Sequence, residues 1–81
     1  MIVNNKQTYD QIFIETFNVV ESALGDDLNY DAVPGWDSIA HMALIAEIEE
    51  SFNITMEIDD IIDFSSYNRG LEILTKYEIE F

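Results

Sequence analysis

The stretch GWDSIAHMALIAEIEESF, residues 35–52, has the apolar periodicity of an amphipathic helix that begins beside a serine. Asp37 and Ser38 are both residue types that cap helices, and Asn53 is suited to ending one, so we expect a helix over 38–52. At about 100° per residue, one side of this helix carries the residues expected in the core, which are His41, Leu44, Ile45, Ile48 and Phe52. A lone histidine on that side is expected to be packed and hydrogen-bonded rather than a ligand.

The other half of this helix mixes apolar and acidic side chains. It holds Ile39, Met42, Ala43, Ala46, Glu47, Glu49 and Glu50. The spacing alone leaves two interpretations open. The face is either solvated with a few tolerated apolar residues, or it docks a protein partner through apolar contacts and through carboxylates that attract Lys and Arg.

The segments on either side of this stretch predict three further helices. After a lead-in over residues 1–7, we expect a first helix over 8–24, capped by Thr8 and ended by Gly25, with a buried stripe of Tyr9, Phe13, Phe17, Val20 and Leu24. ITMEID predicts a short extended connection. DDIIDF, near 59–64, predicts one or two helical turns with Ile61, Ile62 and Phe64 inward. The last helix is expected over 66–77, capped by Ser65 or Ser66, with Tyr67, Leu71, Ile73 and Leu74 buried and Gly70 closely packed.

These elements predict one all-α domain over residues 1–81, because a chain of 81 residues suits a single small core. The expected architecture is a four-helix bundle with three longer helices, one short helix and a long first loop over 25–36. Apolar residues should anchor that loop along the helices, namely Leu28, Tyr30, Val33 and Trp36.

The charge of the chain limits its partners. Its net charge is -14, from 17 Asp and Glu against three Lys and Arg, while 48% of the residues are hydrophobic. We therefore expect a folded domain whose acidic surface repels nucleic acid and anionic membranes and attracts basic patches on proteins, or metal cations. We also expect it to be a monomer. No secretory leader and no run long enough to span a membrane is evident, which predicts a soluble cytoplasmic protein. The chain has no cysteine, so disulfides and thiolate metal sites are excluded.

Ser38 is the residue whose chemistry decides the function. Taken alone, a serine there is an ordinary helix cap. A nucleophilic triad is not expected, because the only histidine is His41 on the core side and no G-x-S-x-G elbow is present. A phosphate ester on Ser38, however, would lie at the positive end of the helix and beside Ile39 and Met42.

Together, DSI at the start of this helix, EIEESF at its end, DDIIDF before a final helix, and the acidic charge resemble the acyl carrier protein family over nearly the whole chain. The resemblance implies that Ser38 carries 4′-phosphopantetheine, transferred from coenzyme A by a carrier protein synthase, and that Asp37 takes part in recognition by that synthase. It further implies that Ile39, Met42, Ala46, Glu47, Glu49 and Glu50 face partner enzymes. Such a protein is not itself an enzyme. It carries acyl or aminoacyl groups as thioesters for acyl-loading and acyl-transfer enzymes with basic patches.

The chain also departs from the pattern of fatty-acid carriers. Ala43 stands where many of them have Glu, His41 replaces a smaller residue, and ITMEID lacks the usual IPDE. The pathway therefore stays open among fatty-acid, polyketide, surface-polysaccharide and other specialised biosynthesis.

Two other functions compete with this interpretation. The best candidate for a calcium-binding loop starts at Asp27, with Asn29 and Asp31 two and four residues later. It does not match the motif, because Ala32 stands where Gly is needed and Ser38 where a bidentate Glu is needed. No metal site is therefore expected. An acidic helical adaptor without a prosthetic group would use the same docking face and leave Ser38 only a capping role.

Overall fold

The computed structural model describes residues 4–25 and 27–81. In this part of the chain, four α-helices follow one another: α1 over Asn5–Phe17, α2 over Ser38–Phe52, α3 over Ile58–Asp63 and α4 over Tyr67–Thr75. A 3₁₀ turn over Glu21–Ala23 follows α1, and the described residues form no strand beyond an isolated bridge between Asn29 and Ser66. The predicted all-α bundle with three longer helices and one short helix is confirmed.

The predicted bounds of the first helix are wrong at both ends. α1 begins at Asn5 because the Asn4 side chain accepts a hydrogen bond from the Gln7 backbone N–H at 3.0 Å, so Thr8 lies inside the helix. It ends at Phe17 because Asn18 adopts the left-handed conformation, with φ of 54°. The expected lead-in is thus partly helical, and residues 1–3 of it lie outside the described part.

The early end of α1 also changes which residues reach the core. Tyr9 and Phe13 are buried and Phe17 and Leu24 pack against the core as expected, but Val20 is 68% exposed. Val20 lies in extended backbone before the 3₁₀ turn, so helical spacing no longer applies to it.

α2 has the predicted bounds, Ser38–Phe52, with Asp37 as its N-cap. At its other end Asn53 adopts a left-handed conformation and the Ile54 N–H donates to the Glu49 carbonyl oxygen at 3.0 Å. Leu44, Ile45 and Ile48 are buried and Phe52 packs against them, which confirms the predicted core side of this helix.

α3 differs from expectation in the direction of one side chain. Phe64 is fully buried and Ile61 partly buried, but Ile62 is 74% exposed, so the prediction that it points inward is wrong. The inward position of this short helix is taken by Asp60, which is buried. Residues two apart on a helix lie on different faces, so Ile62 points outward where Asp60 points inward.

α4 confirms Ser66 as its cap, because the Ser66 hydroxyl accepts a hydrogen bond from the Arg69 N–H at 2.9 Å. The helix ends at Thr75, two residues before the predicted end. Gly70 is packed as closely as predicted: a Cβ there would overlap the Tyr9 hydroxyl and the Phe64 ring. The buried positions Tyr67, Ile73 and Leu74 also agree with the prediction, and Leu71 is partly buried.

The long first loop is anchored to the bundle, as predicted. Leu28 and Trp36 are buried and Val33 is partly buried, whereas Tyr30 is largely exposed. Backbone hydrogen bonds fix the loop to the start of α4, since the Tyr30 N–H donates to the Ser65 carbonyl and the Tyr67 N–H to the Leu28 carbonyl, both at 2.9 Å. This loop delivers the chain to the start of α2, and Asp26 within it lies outside the described residues.

Candidate functional site

Ser38 is the first residue of α2, and its side chain is exposed. The cap of the helix is Asp37, whose Oδ1 accepts a hydrogen bond from the Ala40 N–H at 2.8 Å. Within residues 4–25 and 27–81, the Ser38 hydroxyl forms no hydrogen bond. The hydroxyl is therefore not needed for capping and is accessible for chemistry.

The surroundings of Ser38 suit a phosphate ester. The first N–H groups of a helix lack intrahelical partners, and the positive end of the helix dipole favours an anion. Trp36, two residues earlier, is only 2% exposed and anchors the chain just before the helix begins. An exposed, uncommitted hydroxyl on a fixed backbone at this end of α2 fits a phosphodiester-linked group.

His41 lies one turn after Ser38 and is packed, as predicted, rather than free to act as a base. The Trp36 indole N–H donates to its Nδ1 at 2.9 Å, and its Nε2 lies 2.7 Å from the Ile61 carbonyl oxygen. Indole nitrogen only donates and a carbonyl oxygen only accepts, so His41 is the neutral tautomer with its proton on Nε2. Both ring nitrogens are thereby occupied.

The predicted docking residues of α2 are exposed with one exception. Ile39 is 82% exposed, and the other exposed members of the set are Met42, Ala46, Glu47 and Glu50. Glu49 is half-buried, and its Oε2 accepts a hydrogen bond from the Met56 N–H at 2.8 Å. Glu49 therefore fixes the connection after α2 in addition to carrying negative charge.

α3 lies beside α2 and carries two more exposed apolar side chains. Residues 56–61 run antiparallel to α2, since His41 contacts Ile61 and Glu49 contacts Met56. Ile58 and Ile62, one helical turn apart, are both largely exposed on α3. Sequence reasoning missed Ile58 because it placed that residue in the extended connection, whereas α3 begins there. It missed Ile62 because DDIIDF offers three apolar side chains, and only the inward placement of Asp60 shows which of them face solvent.

All cationic side chains lie away from α2 and are paired. The chain has three: Lys6 binds Asp10 at 3.1 Å, Lys76 binds Asp60 at 2.6 Å, and Arg69 binds Asp63 and, at 2.8 Å, Glu72. The Asp63 carboxylate, with Glu72, raises the pKa of Arg69, and the Asp60 carboxylate raises the pKa of Lys76. Among the described residues, Glu47 and Glu50 have no ion pair, so the exposed face in the second half of α2 carries uncompensated negative charge.

A groove of about 700 Å³ separates α1 from α2. Ile12, Ala40 and Ala43 line it together with hydroxyl, amide and carboxylate groups, among them Glu15, Glu47 and Ser51. Because residue 43 is alanine, this side of α2 has no long side chain at that position. The groove is therefore half polar and open to solvent.

Neither a metal centre nor a membrane span is present in the part of the chain that the structure describes. No three His, Asp or Glu side chains there are grouped so as to hold a metal ion. Asn29, from the rejected calcium loop, instead accepts a hydrogen bond from the Ala32 N–H at 3.0 Å. Over residues 4–25 and 27–81, every helix is too short or too polar to cross a bilayer.

Comparison with known families accounts for this geometry. The family described as phosphopantetheine attachment site matches residues 10–69, which is more than half of the chain and includes Ser38 and all of α2. Among curated proteins, none matches the chain.

Domains of this family are non-catalytic carriers that hold a covalently attached 4′-phosphopantetheine on a serine and work with synthases and acyl-handling enzymes. The match extends across the loop, the acidic helix and the short helix described above. The chain therefore belongs to the phosphopantetheine-attachment family of carrier proteins.

Proposed function

We propose that this protein is an acyl carrier protein whose 4′-phosphopantetheine is attached to the Ser38 hydroxyl. The observation that carries the proposal is an exposed hydroxyl at the start of α2, in a chain of this family, that forms no hydrogen bond with any residue the structure describes. The cargo is an acyl or aminoacyl group in fatty-acid, polyketide, surface-polysaccharide or other specialised biosynthesis. The protein acts in the cytoplasm, as a monomer, and has no catalytic activity of its own.

A comparison of the serines in the matched segment supports Ser38 as the attachment site. The matched segment contains five, which are Ser22, Ser38, Ser51, Ser65 and Ser66. Ser66 is committed to capping α4, Ser51 lies in the last turn of α2, and Ser22 and Ser65 lie outside the four α-helices. Only Ser38 combines exposure with the positive end of a long helix, where a phosphodiester is electrostatically favoured.

The residues next to Ser38 have separate roles in the proposed function. When bound, the prosthetic group supplies a terminal thiol that holds the cargo as a thioester, which the chain itself cannot do because it has no cysteine. Asp37 keeps the first turn of α2 intact through its cap and presents a carboxylate beside the tether for recognition by the synthase. Trp36 and His41 hold the backbone on either side of Ser38.

The docking surface extends over two helices. It consists of Ile39, Met42, Ala46, Glu47, Glu49 and Glu50 on α2, together with Ile58 and Ile62 on α3. Exposed apolar side chains supply contact area, and the unpaired carboxylates attract Lys and Arg on a partner. Association should therefore be electrostatically steered and should weaken as salt is added.

The test is modification by a transferase. Incubation with coenzyme A, Mg²⁺ and a carrier protein synthase should add the mass of one phosphopantetheine group to the intact protein, and peptide mass spectrometry should place it on Ser38. Ser38→Ala should abolish the addition, whereas Ser51→Ala, at the other end of the same helix, should be modified like the wild type.

Ser38→Ala should remain folded, so a loss of modification in this variant would not be caused by unfolding. Because Asp37 rather than Ser38 caps α2, Ser38→Ala should change the free energy of unfolding by no more than about 0.5 kcal/mol. An unmodified wild-type protein, under conditions where established carriers are fully converted, would leave the adaptor without a prosthetic group as the better function.

A further inference from the structure

The imidazole of His41 joins three parts of the fold. His41 itself belongs to the first turn of α2. Its Nδ1 accepts a hydrogen bond from the indole N–H of Trp36, in the first loop, at 2.9 Å, and its Nε2 donates one to the carbonyl oxygen of Ile61, in α3, at 2.7 Å. α3 has only six residues, too few for a helix to be stable by itself. Its position therefore depends on contacts such as this one.

Aromatic rings enclose His41 on the other sides. Its ring lies edge to edge with that of Trp36 and nearly coplanar with it, with centroids 6.1 Å apart and an angle of 24°, and it meets Tyr30 and Phe64 edge-on at 6.2 Å and 6.4 Å. Tyr30 is the titratable group that faces it from the first loop, and on its own helix the neighbouring group is Asp37, whose backbone carbonyl accepts the His41 N–H.

Two of the three carboxylates of α3 are engaged elsewhere, and the third, that of Asp59, is exposed and forms no ion pair within the described residues. Asp60 accepts hydrogen bonds from Lys76 and Tyr77, and Asp63 binds Arg69. In the described part of the chain, no carboxylate forms an ion pair with His41. A proton added to this imidazole would thus gain no directly bound anion.

Protonation would break the bridge for a geometric reason. The imidazolium ion carries N–H on both ring nitrogens, so Nδ1–H would face the indole N–H of Trp36, which can only donate. One of the two rings must then turn away, and the coplanar, hydrogen-bonded arrangement that aims Nε2 at Ile61 is lost. Histidine is the side chain whose protonation changes most readily near neutral pH.

We propose that neutral His41 is a positioning residue that holds α3 against the first turn of α2, and that protonation of His41 loosens α3. The consequence for partners rests on the proposed function: loosening shifts Ile62 on α3 relative to Ile39 and Met42 on α2, and so separates the two halves of the docking surface.

Hydrogen exchange in the unmodified protein tests this directly. Amide protection factors for residues 60–63, corrected for intrinsic exchange at each pH, should fall about tenfold between pH 7.5 and pH 5.5, the size expected from losing one or two hydrogen bonds. The fall should follow the protonation of His41, read from its ring ¹⁵N shifts in the same samples. Those shifts should also show the proton on Nε2 at pH 7.5.

Two variants separate His41 from the many carboxylates of the chain. His41→Phe keeps an aromatic ring but neither hydrogen bond, so residues 60–63 should be weakly protected at both pH values. His41→Gln offers a carbonyl and an N–H that do not titrate, so its protection should be the same at both pH values.

Protection that is constant in the wild type while His41 becomes protonated would overturn the proposal. So would a pH dependence that persists in both variants. Neither result affects attachment at Ser38, which the transferase assay measures independently.

Discussion

Lys76 Nζ lies 2.6 Å from Oδ1 of Asp60, which ties the end of α4 to the buried face of α3. The Tyr77 hydroxyl donates to the other carboxylate oxygen at 2.5 Å and itself accepts from the Glu57 N–H at 2.9 Å. Asp60 is 7% exposed, so this ionised group is stabilised by its partners and not by water. The hydrogen bonds from Lys76 and then Tyr77 lower the pKa of Asp60.

The lowered pKa of Asp60 predicts an acid-dependent loss of stability. The ionised form is bound more favourably in the folded protein, so its contribution is complete above the ordinary aspartate pKa of about 4 and is lost as pH falls through the lowered value. Asp60→Asn should therefore reduce the melting temperature by several degrees at pH 7, and the difference from the wild type should shrink below about pH 4. Thermal unfolding followed by circular dichroism at pH 7, 4 and 3 measures both effects.

Asp59→Asn is the matched control for this change, because Asp59 is exposed on the same helix and forms no ion pair within the described residues. Its melting temperature should stay close to that of the wild type at each pH. A gap between Asp60→Asn and wild type that is as wide at pH 3 as at pH 7 would contradict the assigned role of the Asp60 carboxylate.

Asp37 is expected to have two roles that substitution can separate. Asp37→Asn retains an oxygen that can accept from Ala40, so unfolding should be nearly unchanged, whereas Asp37→Ala should lose about 1 kcal/mol through loss of the cap. If the carboxylate also serves synthase recognition, both variants should be modified at Ser38 more slowly than the wild type. Urea denaturation measures the stability of the variants, and the rate of mass addition measures their modification. If Asp37→Asn is modified at the wild-type rate, the synthase does not recognise the Asp37 carboxylate.

Gly70 lies where the core leaves no room for a Cβ atom. Gly70→Ala should destabilise the protein by about 1–3 kcal/mol, because the added methyl group overlaps the Phe64 ring and the Tyr9 hydroxyl. That hydroxyl donates to the Tyr67 carbonyl at 2.7 Å, and the hydrogen bond would be strained as well. Gly35→Ala is the control, since a Cβ there meets nothing within 4 Å, and its free energy of unfolding should not fall. Equal free energies of unfolding for the two variants in urea denaturation would show that the core accommodates a methyl group at residue 70, and would contradict the prediction.

The exposed isoleucines should matter for partners and not for folding. Ile39→Ser and Ile62→Ser should leave the free energy of unfolding within about 0.5 kcal/mol, since both side chains are mostly solvated. Each should weaken binding to a partner enzyme by about fivefold or more, the range of a contact residue near the centre of an interface. Val20→Ser, which removes an exposed apolar side chain outside the docking surface, should bind normally in the same titration calorimetry. If both isoleucine variants bind the partner enzyme with wild-type affinity, the partner does not dock on the surface that contains Ile39 and Ile62.

The amphipathic pattern of α2 was sufficient to predict its bounds and its core, because its cap residues and its apolar spacing agree. The start of α1 could not be predicted in the same way, since both Asn4 and Thr8 are good caps and the choice depends on which side chain reaches a free N–H. The end of α1 depends on Asn18 entering the left-handed region, which helical spacing does not reveal.

The candidate site was predictable where it depends on residue type and position, and not where it depends on tertiary contacts. Ser38 and Asp37 follow from the local sequence and from the resemblance to carrier proteins. The outward direction of Ile62 follows from Asp60 turning inward to Lys76, sixteen residues later, and the tie between Glu49 and Met56 depends on how the connection folds back. Such long-range pairings are not encoded in the period of one helix.

Trp36 is the only tryptophan of the chain, and its indole is both buried and hydrogen-bonded to the only histidine. Selective excitation of this single fluorophore therefore samples a point two residues from the proposed tether without any dye. Its emission spectrum and lifetime should therefore report in real time any change that attachment of a group to Ser38 makes in the surroundings of this indole.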